Sequence, residues 1–518
     1  IEDFRARELT LINDRFASIP LFYRIEPTGV LLASINYSDV SEPPVAGNSP
    51  ALVEENFYEF IHLQRLLGSK TYDKDTRFLE AASVLTYSAS TSTVTSSNYW
   101  QPSFKKDHQV QVDEFAEALA SALQRSIKAR TSDKRSYGLL LSGGLDSRAV
   151  LAATDDPMRC FTVGERVNAE VRVAAAVAAT TGSAHNFVPR SPDHYVKMVD
   201  RAVSLSGAMH VYDHAHFINL DEAFSGQADI LFHGHGLDYF FQGLYLPTEK
   251  TTVAGRPTYI DRLRLLQEPF AVEYVESIKY RLGSPNPAAV VRPEHRALMR
   301  DSLIASAEAV MDEGRDKCQD EYDLWEYMHI HNLSRHYTFL NLLSIRTFAE
   351  ERTACFDNEV YDLYLRMPVE YRLSGKVLRR AITMMNRRLA RINNANTRLP
   401  ANYGPYVSTL ANLGARALKK LGANPQRGLP PAGHDRSWPD RGEMIRSNPA
   451  LSLRVQAMSR SENLASLKFL DMDRISDHVT RHMSGESDYG ALLLTLLTID
   501  TFLRAKVPTP KAVTWQTR

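Results

Sequence analysis

Residues 137–153 constrain the fold of this chain more than any other stretch. The apolar run 139–141 predicts a short buried strand, which the serine and the glycines at 142–144 interrupt. From Arg148 onward, small apolar residues predict a helix. A strand, a glycine-rich turn and a helix in this order point backbone N–H groups at an anion, and glycines let the backbone approach a phosphate closely. The stretch therefore predicts an α/β fold with a phosphate site at the end of a strand.

An aspartate in this turn indicates that a metal ion accompanies the phosphate. Asp146 would repel a phosphate unless a Mg²⁺ lay between the carboxylate and the phosphate oxygens. The sequence Ser-Gly-Gly-Leu-Asp-Ser at 142–147 resembles the pyrophosphate-binding loop of the ATP pyrophosphatases. It is not a Walker loop, because the Gly-Lys-Ser/Thr ending is missing. A generic glycine turn is the alternative, but six positions match between a predicted strand and a predicted helix.

Composition excludes several classes of protein. The 518 residues suggest two or more domains, and the formal net charge of zero gives no argument for nucleic acid or an anionic membrane as a partner. Cys160, Cys318 and Cys355 have no paired spacing, which excludes a disulfide scaffold and favours a cytoplasmic location. No apolar run reaches about 18 residues, so no transmembrane helix is expected. The chain begins without Met or a signal-peptide pattern, so Ile1 need not be the true start.

Strands and helices alternate in the larger part of the chain. An amphipathic helix is predicted over 109–131, a strand over 160–164 and a helix over 169–181. Such alternation predicts a doubly wound parallel sheet with helices on both faces and the ligand at the carboxyl ends of the strands. Further predictions are a loop with helices over 246–300, one or two helices over 315–348, a proline-rich surface loop over 424–440 and an apolar helix over 492–502.

A second motif follows another predicted strand, at 230–245. The strand ends in the sequence His-Gly-His-Gly at 233–236, before a helix-like run. It resembles Gly-Glu-Gly-Xaa-Asp-Glu-Xaa-Xaa-Gly-Gly of the asparagine synthetases, with Gly234, Gly236, Asp238 and Gly243 in register. In that family this aspartate shares the Mg²⁺ with the aspartate of the first loop, which would pair Asp238 with Asp146. The alternative for Asp238 is the cap of a helix.

The N-terminal part resembles half of a second domain. Short strands are predicted between residues 8 and 34, a helix over 53–67 and a β-rich stretch over 83–99. Asn-Asp-Arg-Phe at 13–16, Pro-Leu-Phe-Tyr at 20–23 and Tyr-Trp at 99–100 resemble the second half of the glutaminase domain of asparagine synthetase.

The resemblance divides the chain into a partial glutaminase-like (Ntn-type) domain, 1–106, and an adenine nucleotide α-hydrolase-like, ATP-dependent synthetase domain, 107–518. The family's glutamine-hydrolysing nucleophile is an N-terminal cysteine, but no cysteine precedes Cys160. Either the native chain continues upstream or this half has lost glutaminase activity.

The resemblance implies a set of site residues. Asp146 and Asp238 would hold Mg²⁺. ATP and its pyrophosphate would contact Leu140, Ser142, Gly143, Gly144, Asp146, Ser147, Val163, Gly164, His233 and Gly234.

His235 is the departure from the family that bears most on catalysis. It replaces the glutamate of the asparagine synthetases and the tyrosine of the β-lactam and carbapenam synthetases, where this side chain belongs to the base that activates the attacking nitrogen. A histidine suits that role because its free pKa is near neutrality. Alternatively it binds substrate or packs beside the metal. A His-Xaa-His zinc site is disfavoured, since no third ligand is evident.

Two cations are candidates for stabilising the departing pyrophosphate. Glu351 to Asp357 and Lys376 to Arg379 resemble later family segments, although Cys355 stands where the family has proline. Lys376 and Arg379 lie three positions apart and share a helix face, which makes them candidate catalytic residues. A solvated basic helix end is the alternative. The family's further lysine has no counterpart in 391–400, where Arg398 is the nearest substitute.

Together these features predict an asparagine-synthetase-like, ATP-dependent ligase. It would adenylate a small-molecule or peptide carboxylate with release of pyrophosphate and transfer the acyl group to an amine or ammonia. Intramolecular attack would make it a cyclase of the β-lactam or lasso-peptide type, and a catalytically inactive scaffold is a further alternative. ATP and Mg²⁺ are the expected cofactors. Nucleic acid and membranes are not expected as partners, and a homodimer is left open.

Overall fold

The computed structural model describes residues 1–41, 52–133, 135–253, 255–278, 287–420 and 437–505. The strands are β1 (Glu2–Asp3), β2 (Glu8–Ile12), β3 (Phe22–Ile25), β4 (Leu31–Ser34), β5 (Arg77–Phe78), β6 (Ser83–Ser88), β7 (Thr93–Asn98), β8 (Tyr137–Leu140), β9 (Arg159–Gly164), β10 (His185–Pro189), β11 (Ile230–His233), β12 (Thr248–Val253), β13 (Arg256–Leu263) and β14 (Glu350–Thr353).

The helices up to residue 330 are α1 (Tyr37–Val40), α2 (Glu54–Leu63), α3 (Val112–Arg130), α4 (Asp146–Ala152), α5 (Ala169–Thr180), α6 (His194–Lys197), α7 (Val199–Ser206), α8 (Asp221–Phe224), α9 (Leu237–Phe241), α10 (Phe270–Ile278), α11 (Arg296–Arg315) and α12 (Glu321–Ile330). Those that follow are α13 (Leu340–Ile345), α14 (Asn358–Arg366), α15 (Val369–Arg372), α16 (Lys376–Met385), α17 (Arg387–Ala390), α18 (Pro405–Lys420), α19 (Arg441–Ser447), α20 (Pro449–Met458), α21 (Glu462–Ala465), α22 (Met472–Met483) and α23 (Gly490–Arg504). Short 3₁₀ segments span Tyr212–His214, Pro287–Val290, Pro293–His295, Leu333–Arg335 and Leu373–Gly375.

A five-stranded parallel sheet positions the candidate site. Its strands lie in the order β10-β9-β8-β11-β14, and Phe232 of β11 pairs with Leu139 of β8. After β8, the chain adds β9 and β10 on one side of it. It then returns to place β11 and β14 on the other side. In sheets of this kind ligands bind at the carboxyl ends of the two strands where the order reverses. The predicted α/β architecture with a parallel sheet is confirmed, and the two sequence motifs follow these two strands.

Both faces of this sheet are buried by apolar side chains. Leu139 and Leu141 pack into the main core, whereas Leu140, between them, packs into a smaller cluster with Phe161 and Leu231. The reason is that successive side chains of a strand point to opposite faces. A parallel sheet covered on both faces reads in sequence as a continuous apolar run, as at 139–141.

The N-terminal strands form two small antiparallel sheets. One has the order β1-β2-β6-β7 and the other β4-β3-β5. Phe16 joins this part to the region after β14, because its ring stacks on Phe356 at a centroid distance of 5.1 Å. Arg15 reaches the same region, with Nη1 lying 3.0 Å from a carboxylate oxygen of Asp362. The N-terminal strands thus share the main core with the parallel sheet.

Several local predictions hold and one is wrong. The predicted helices at 109–131, 169–181 and 492–502 correspond to α3, α5 and α23, and the one or two helices predicted over 315–348 correspond to α12 and α13. The stretch 246–300, predicted as a loop with helices, instead begins with the antiparallel hairpin β12–β13, across which Glu249 pairs with Arg262 and Lys250 with Asp261. Residues 424–436 of the predicted proline-rich loop lie outside the described residues.

Among the described residues, no helix combines the length and the apolar character that crossing a membrane requires.

A buried histidine near the helices that cover the sheet makes stability depend on pH. His210 is buried, and its Nε2 lies 2.9 Å from the carbonyl oxygen of Ser334. Burial lowers its pKa to about 3, although the bond to the Ser334 carbonyl acts in the opposite direction. The folded protein therefore keeps this imidazole neutral under mildly acidic conditions.

Replacing His210 by glutamine should weaken the loss of stability at low pH. In the unfolded chain histidine takes up a proton near pH 6.5, whereas His210 in the folded protein does so only near 3, so its contribution is lost as pH falls between these values. From pH 7.5 to 5.5 the loss amounts to about 1.4 kcal/mol for one such group. Urea unfolding at both pH values gives the free energy of unfolding. Its decrease from pH 7.5 to 5.5 should be smaller by about that amount in His210→Gln than in the wild type. An identical difference in both proteins would contradict this assignment.

Candidate active site

The loop after β8 is held in shape by its own serines. The Ser142 N–H donates to Ser147 Oγ at 2.9 Å, and the Gly144 N–H lies 3.3 Å from Ser142 Oγ. Gly143 has no room for a side chain, because a Cβ there would lie 2.5 Å from the Cβ of Ala395. The loop is therefore preformed, and a second segment covers it from outside.

A buried arginine fixes that covering segment. Arg148 lies in α4, directly after the loop, and is fully buried. Its guanidinium donates to the carbonyl oxygens of Leu389, Ile392 and Asn393, at 3.1, 2.7 and 2.9 Å. The Ala395 N–H then donates to the Gly143 carbonyl at 2.9 Å. Arg148 thereby holds the residues after α17 against the loop at 142–147.

The second motif packs directly on the first. A Cβ on Gly234 would lie 2.4 Å from the Ser147 nitrogen and 2.5 Å from the Asp146 carbonyl carbon. Only glycine permits two backbones to approach this closely. Gly236, with φ +92°, then turns the chain into α9, which carries Asp238. The contact brings the two predicted metal-binding aspartates to the same place.

Asp146 and Asp238 act on each other electrostatically. Burial raises the pKa of Asp146 well above its usual value, and the neighbouring Asp238 raises it further. Burial raises the pKa of Asp238 to about 6. The Gln242 Nε2 donates to Asp146 Oδ1 at 2.5 Å, which offsets this repulsion only in part.

Two carboxylates that repel each other in a buried site suit a hard divalent cation. Mg²⁺ binds through one or two carboxylates and completes its coordination with phosphate oxygens and water. In the described ranges no group of three or more His, Cys, Asp or Glu side chains could hold a metal ion by itself. The donor set therefore fits a cation that arrives with a phosphate ligand, and it does not resemble a His-Xaa-His zinc site.

His233 is held by a buried network. Its Nε2 lies 2.5 Å from Glu351 Oε1, and its Nδ1 accepts the backbone N–H of His235 at 3.1 Å. Arg346 in turn donates to Glu351 Oε2 through Nε and Nη2, at 3.1 and 2.7 Å. Because both ring nitrogens are engaged within the protein, His233 can touch a nucleotide only through its ring carbons or its backbone.

His235 has one ring nitrogen in a hydrogen bond and one without. Its Nε2 lies 3.1 Å from Tyr239 Oη, which also contacts Thr338 and, at 3.3 Å, His336 Nδ1. Its Nδ1 bonds to no residue in the described part of the chain. Burial, with a smaller contribution from His233, lowers the pKa of His235 to about 3. The imidazole is therefore neutral at physiological pH and has a lone pair available to accept a proton.

The two motifs line a cavity of about 280 Å³. Its walls combine polar side chains, many of them from the two loops, with apolar side chains from β8, β9, α13 and other segments. The polar part consists of Ser142, Asp146, Ser147, Thr162, Glu170, His233, His235, Asp238, Asn341 and Ser437. The remainder consists of Leu140, Leu141, Phe161, Val163, Phe217, Gly234, Leu342, Ile345 and Trp438.

Most of the residues predicted for the site meet in this cavity, and some do not. Gly143, Gly144 and Gly164 lie in the same loops but do not line it. Gly143 is covered by the segment around Ala395, and Gly164 accepts the Arg190 N–H at 2.8 Å.

The two predicted catalytic cations also lie outside the lining. Lys376 is exposed, and the Arg379 guanidinium donates to the carbonyl of Ser374. Gly375, just before Lys376, nevertheless approaches the site, since a Cβ there would lie 3.3 Å from Gln242 and 3.6 Å from Leu145. The role of the two cations stays a prediction.

Several residues of the site had no signal in the sequence. Glu170 and Trp438 contribute a carboxylate and an indole to the lining, but they come from distant stretches and share no motif. Gln242 lies within the second motif, yet no pattern there indicated that its amide would donate to Asp146. Trp438 stacks on His216 at a centroid distance of 4.0 Å, and Arg190 lies 5.2 Å from the indole centroid. Only the packing of these stretches against the ends of β9 and β10 brings them to the cavity.

Comparison with protein families agrees with this geometry. The profile of the asparagine synthase family matches residues 118–391, which include both loops, Lys376 and Arg379. The N-terminal strands and α18 lie outside the match. Among curated proteins, no match is found.

Replacing Gly234 by alanine should separate the two loops and weaken nucleotide binding. The added Cβ would meet backbone atoms, which cannot rotate away, so overpacking of about 1–3 kcal/mol is expected. We expect ATP affinity, measured by calorimetry, to fall at least about 10-fold. Gly404→Ala is the matched control, because a Cβ at Gly404 meets nothing within 4 Å. Equal affinities of the two variants would contradict the close contact.

Proposed function

The chain belongs to the asparagine synthase family of ATP-dependent, amide-forming ligases, and from this premise we propose that it adenylates a substrate carboxylate and transfers the acyl group to an amine or ammonia. The observation that carries the proposal is the meeting of Asp146 and Asp238 beside the preformed phosphate loop. The two aspartates meet at the carboxyl ends of β8 and β11, where the strand order reverses. Binding of a metal ion together with the pyrophosphate part of ATP requires such a meeting.

The cavity has an apolar part that suits a base and a polar part that suits phosphates. The apolar lining by Leu140, Val163 and Ile345 suits an adenine ring, and the loop at 142–147 supplies N–H and hydroxyl donors for phosphates. Asp146 and Asp238 would hold Mg²⁺, which would supply positive charge to neutralise the phosphate oxygens. Lys376, placed next to Gly375 beside the loop, would add a cation on the side of the departing pyrophosphate.

Adenylation is the first chemical step of the proposed reaction. An oxygen of the substrate carboxylate attacks the α-phosphorus, and the bond from that phosphorus to the bridging oxygen breaks. The products are an acyl-adenylate and pyrophosphate. The residues of the loop bind and orient the triphosphate, so that the attacking and leaving oxygens are in line.

Amide formation is the second step. The nitrogen attacks the acyl carbon, the carbon–oxygen bond to AMP breaks, and the nitrogen loses a proton. His235 lines the cavity with Nδ1 unengaged, and it would accept this proton there in the tautomer whose Nε2–H donates to Tyr239 Oη. Its low pKa makes it a weak base, so it would act once nitrogen has added to the carbonyl and become acidic. Tyr239 would keep the imidazole ring oriented.

We propose that ammonia or an amine is the nucleophile of the second step, as the family implies. Residues 1–106 contain no cysteine, the residue with which family members hydrolyse glutamine. The strands of this part pack against the synthetase core, which Phe16 contacts.

Asp146→Asn should abolish the first step. With one carboxylate removed, the pair would no longer hold the cation that accompanies the triphosphate. We expect the wild type, with MgATP and a panel of carboxylates at neutral pH, to exchange labelled pyrophosphate into ATP, and the variant to lose the exchange at least about 100-fold. The exposed Asp155→Asn, a few residues away, is the matched control. Absence of exchange by the wild type with every carboxylate would instead favour an inactive scaffold.

His235→Ala should separate the two steps. Pyrophosphate exchange should remain close to that of the wild type, whereas amide formation should slow by about 10²–10⁴-fold, as expected for loss of a general base. Product and AMP release, followed under single-turnover conditions, give the second rate. His108→Ala, at an exposed histidine, should change neither rate. If both steps slow equally, His235 binds substrate and is not the base.

A further inference from the structure

Helix α18 is packed with its polar face inward. Ser408 and Thr409 are only 4% and 7% exposed, whereas Tyr406 and Leu410 are each 69% exposed. Val407 and Leu413 are also exposed, at the same side of the helix. A surface helix normally does the reverse and buries its apolar stripe against the core. The apolar side of α18 is therefore left largely uncovered by the part of the chain that the structure describes.

Hydrogen bonds fix the helix in this orientation. The Tyr259 N–H, in β13, donates to Thr409 Oγ1 at 3.1 Å. One turn further along, Asn412 Nδ2 donates to Tyr259 Oη at 3.3 Å. A rotation that buried Leu410 would break both bonds. These two hydrogen bonds therefore keep the apolar face of α18 exposed.

Cations without carboxylate partners lie beside the start of α18. Arg387, Arg388 and Arg391 are exposed and form no ion pair within the described ranges. Backbone bonds bring them close, because the Asn402 N–H donates to the carbonyl of Ala390 at 2.9 Å. The surrounding sequence explains the imbalance: residues 371–420 contain 11 Lys and Arg and no Asp or Glu, although the whole chain has a net charge of zero.

We propose that this apolar–cationic surface docks an acidic polypeptide segment that carries apolar side chains. The surface consists of Tyr406, Val407, Leu410 and Leu413 on α18, together with Arg387, Arg388 and Arg391. The apolar stripe would bury the hydrophobic side chains of the partner, and the arginines would pair with its carboxylates. The inference concerns a partner and stands independently of the proposed function.

Charge and geometry favour this occupant over two others. A second copy of the chain would place the arginines of one subunit near those of the other, and like charges repel. A helix that lies on an anionic membrane keeps its polar face toward water. The polar face of α18 is instead bound to β13 through Thr409 and Asn412. The exposed stripe from Tyr406 to Leu413 is also only about 10 Å long, which matches a short helical or extended segment.

The surface is connected to the active site through the segment after α17. Arg391 begins the segment that folds over the phosphate loop, where the Ala395 N–H donates to Gly143. Arg148, within α4, holds the same segment through the Ile392 and Asn393 carbonyls. A partner bound at the arginines would therefore touch residues that cover the nucleotide site.

Fluorescence anisotropy with defined probes tests the proposal. The probe is a labelled 16-residue peptide with leucine at every third or fourth position and glutamate at most others. One control peptide has lysine in place of glutamate, and a second has serine in place of leucine. We expect the acidic, leucine-bearing peptide to bind at least about 10-fold more tightly than either control, and its affinity to fall as NaCl is raised from about 50 to 500 mM.

Variants locate the binding on the surface. Leu410→Ser and the double change Arg387→Ser with Arg388→Ser should each weaken binding of the acidic peptide at least about 10-fold. Leu453→Ser is the matched control, because Leu453 on α20 is exposed to a similar degree, 67%, away from this surface. All three variants should keep the circular dichroism spectrum and the melting temperature of the wild type, which shows that they are folded.

Three results would overturn the proposal. The first is equal binding of the acidic and lysine peptides, or no binding of either. The second is a concentration-dependent dimer in analytical ultracentrifugation that Leu410→Ser abolishes, which would identify a second copy as the occupant. The third is co-sedimentation with vesicles of equal phosphatidylcholine and phosphatidylglycerol that Leu410→Ser abolishes, which would identify a membrane.

Discussion

The contact between Gly234 and the backbone of Asp146 and Ser147 is the constraint on which the site depends. It forces the loops after β8 and β11 together and, with them, the two aspartates. Burial, together with repulsion from Asp238, raises the pKa of Asp146, and burial raises that of Asp238. Packing of apolar residues on both faces of the sheet supplies the stability that holds these unfavourable groups in place. Two buried carboxyl groups held side by side in this way favour the binding of positive charge between them.

The two histidines of the second loop differ in how the protein engages their ring nitrogens. His233 is fixed by Glu351, and Arg346 in turn fixes Glu351. This support leaves His235 next to the cavity, with its ring held by Tyr239. An acid at this position would add a third negative charge beside two buried carboxylates. A neutral imidazole avoids that repulsion while retaining a lone pair.

Positive charge is distributed unevenly along the chain. A net charge of zero describes the chain as a whole but not the fifty residues from 371 to 420, where cations stand without acids. Some of these cations pair across the fold, as Arg380 does with Asp113, whereas Arg387, Arg388 and Arg391 remain exposed. Together with the inverted orientation of α18, this gives the protein a cationic and apolar face next to the segment that covers the phosphate loop.

The sequence by itself determined the central strands, the two glycine loops and the two aspartates. These depend on local patterns: an apolar run for a strand buried on both faces, and glycines where backbones must approach each other. It did not determine the hairpin β12–β13, the buried role of Arg148 or the contributions of Glu170 and Trp438. Those depend on which distant segments pack together, and no short pattern encodes such packing. It also could not tell which side of α18 faces the protein. A helix repeat states which residues share a face, but only hydrogen bonds from a neighbouring strand decide which face is buried.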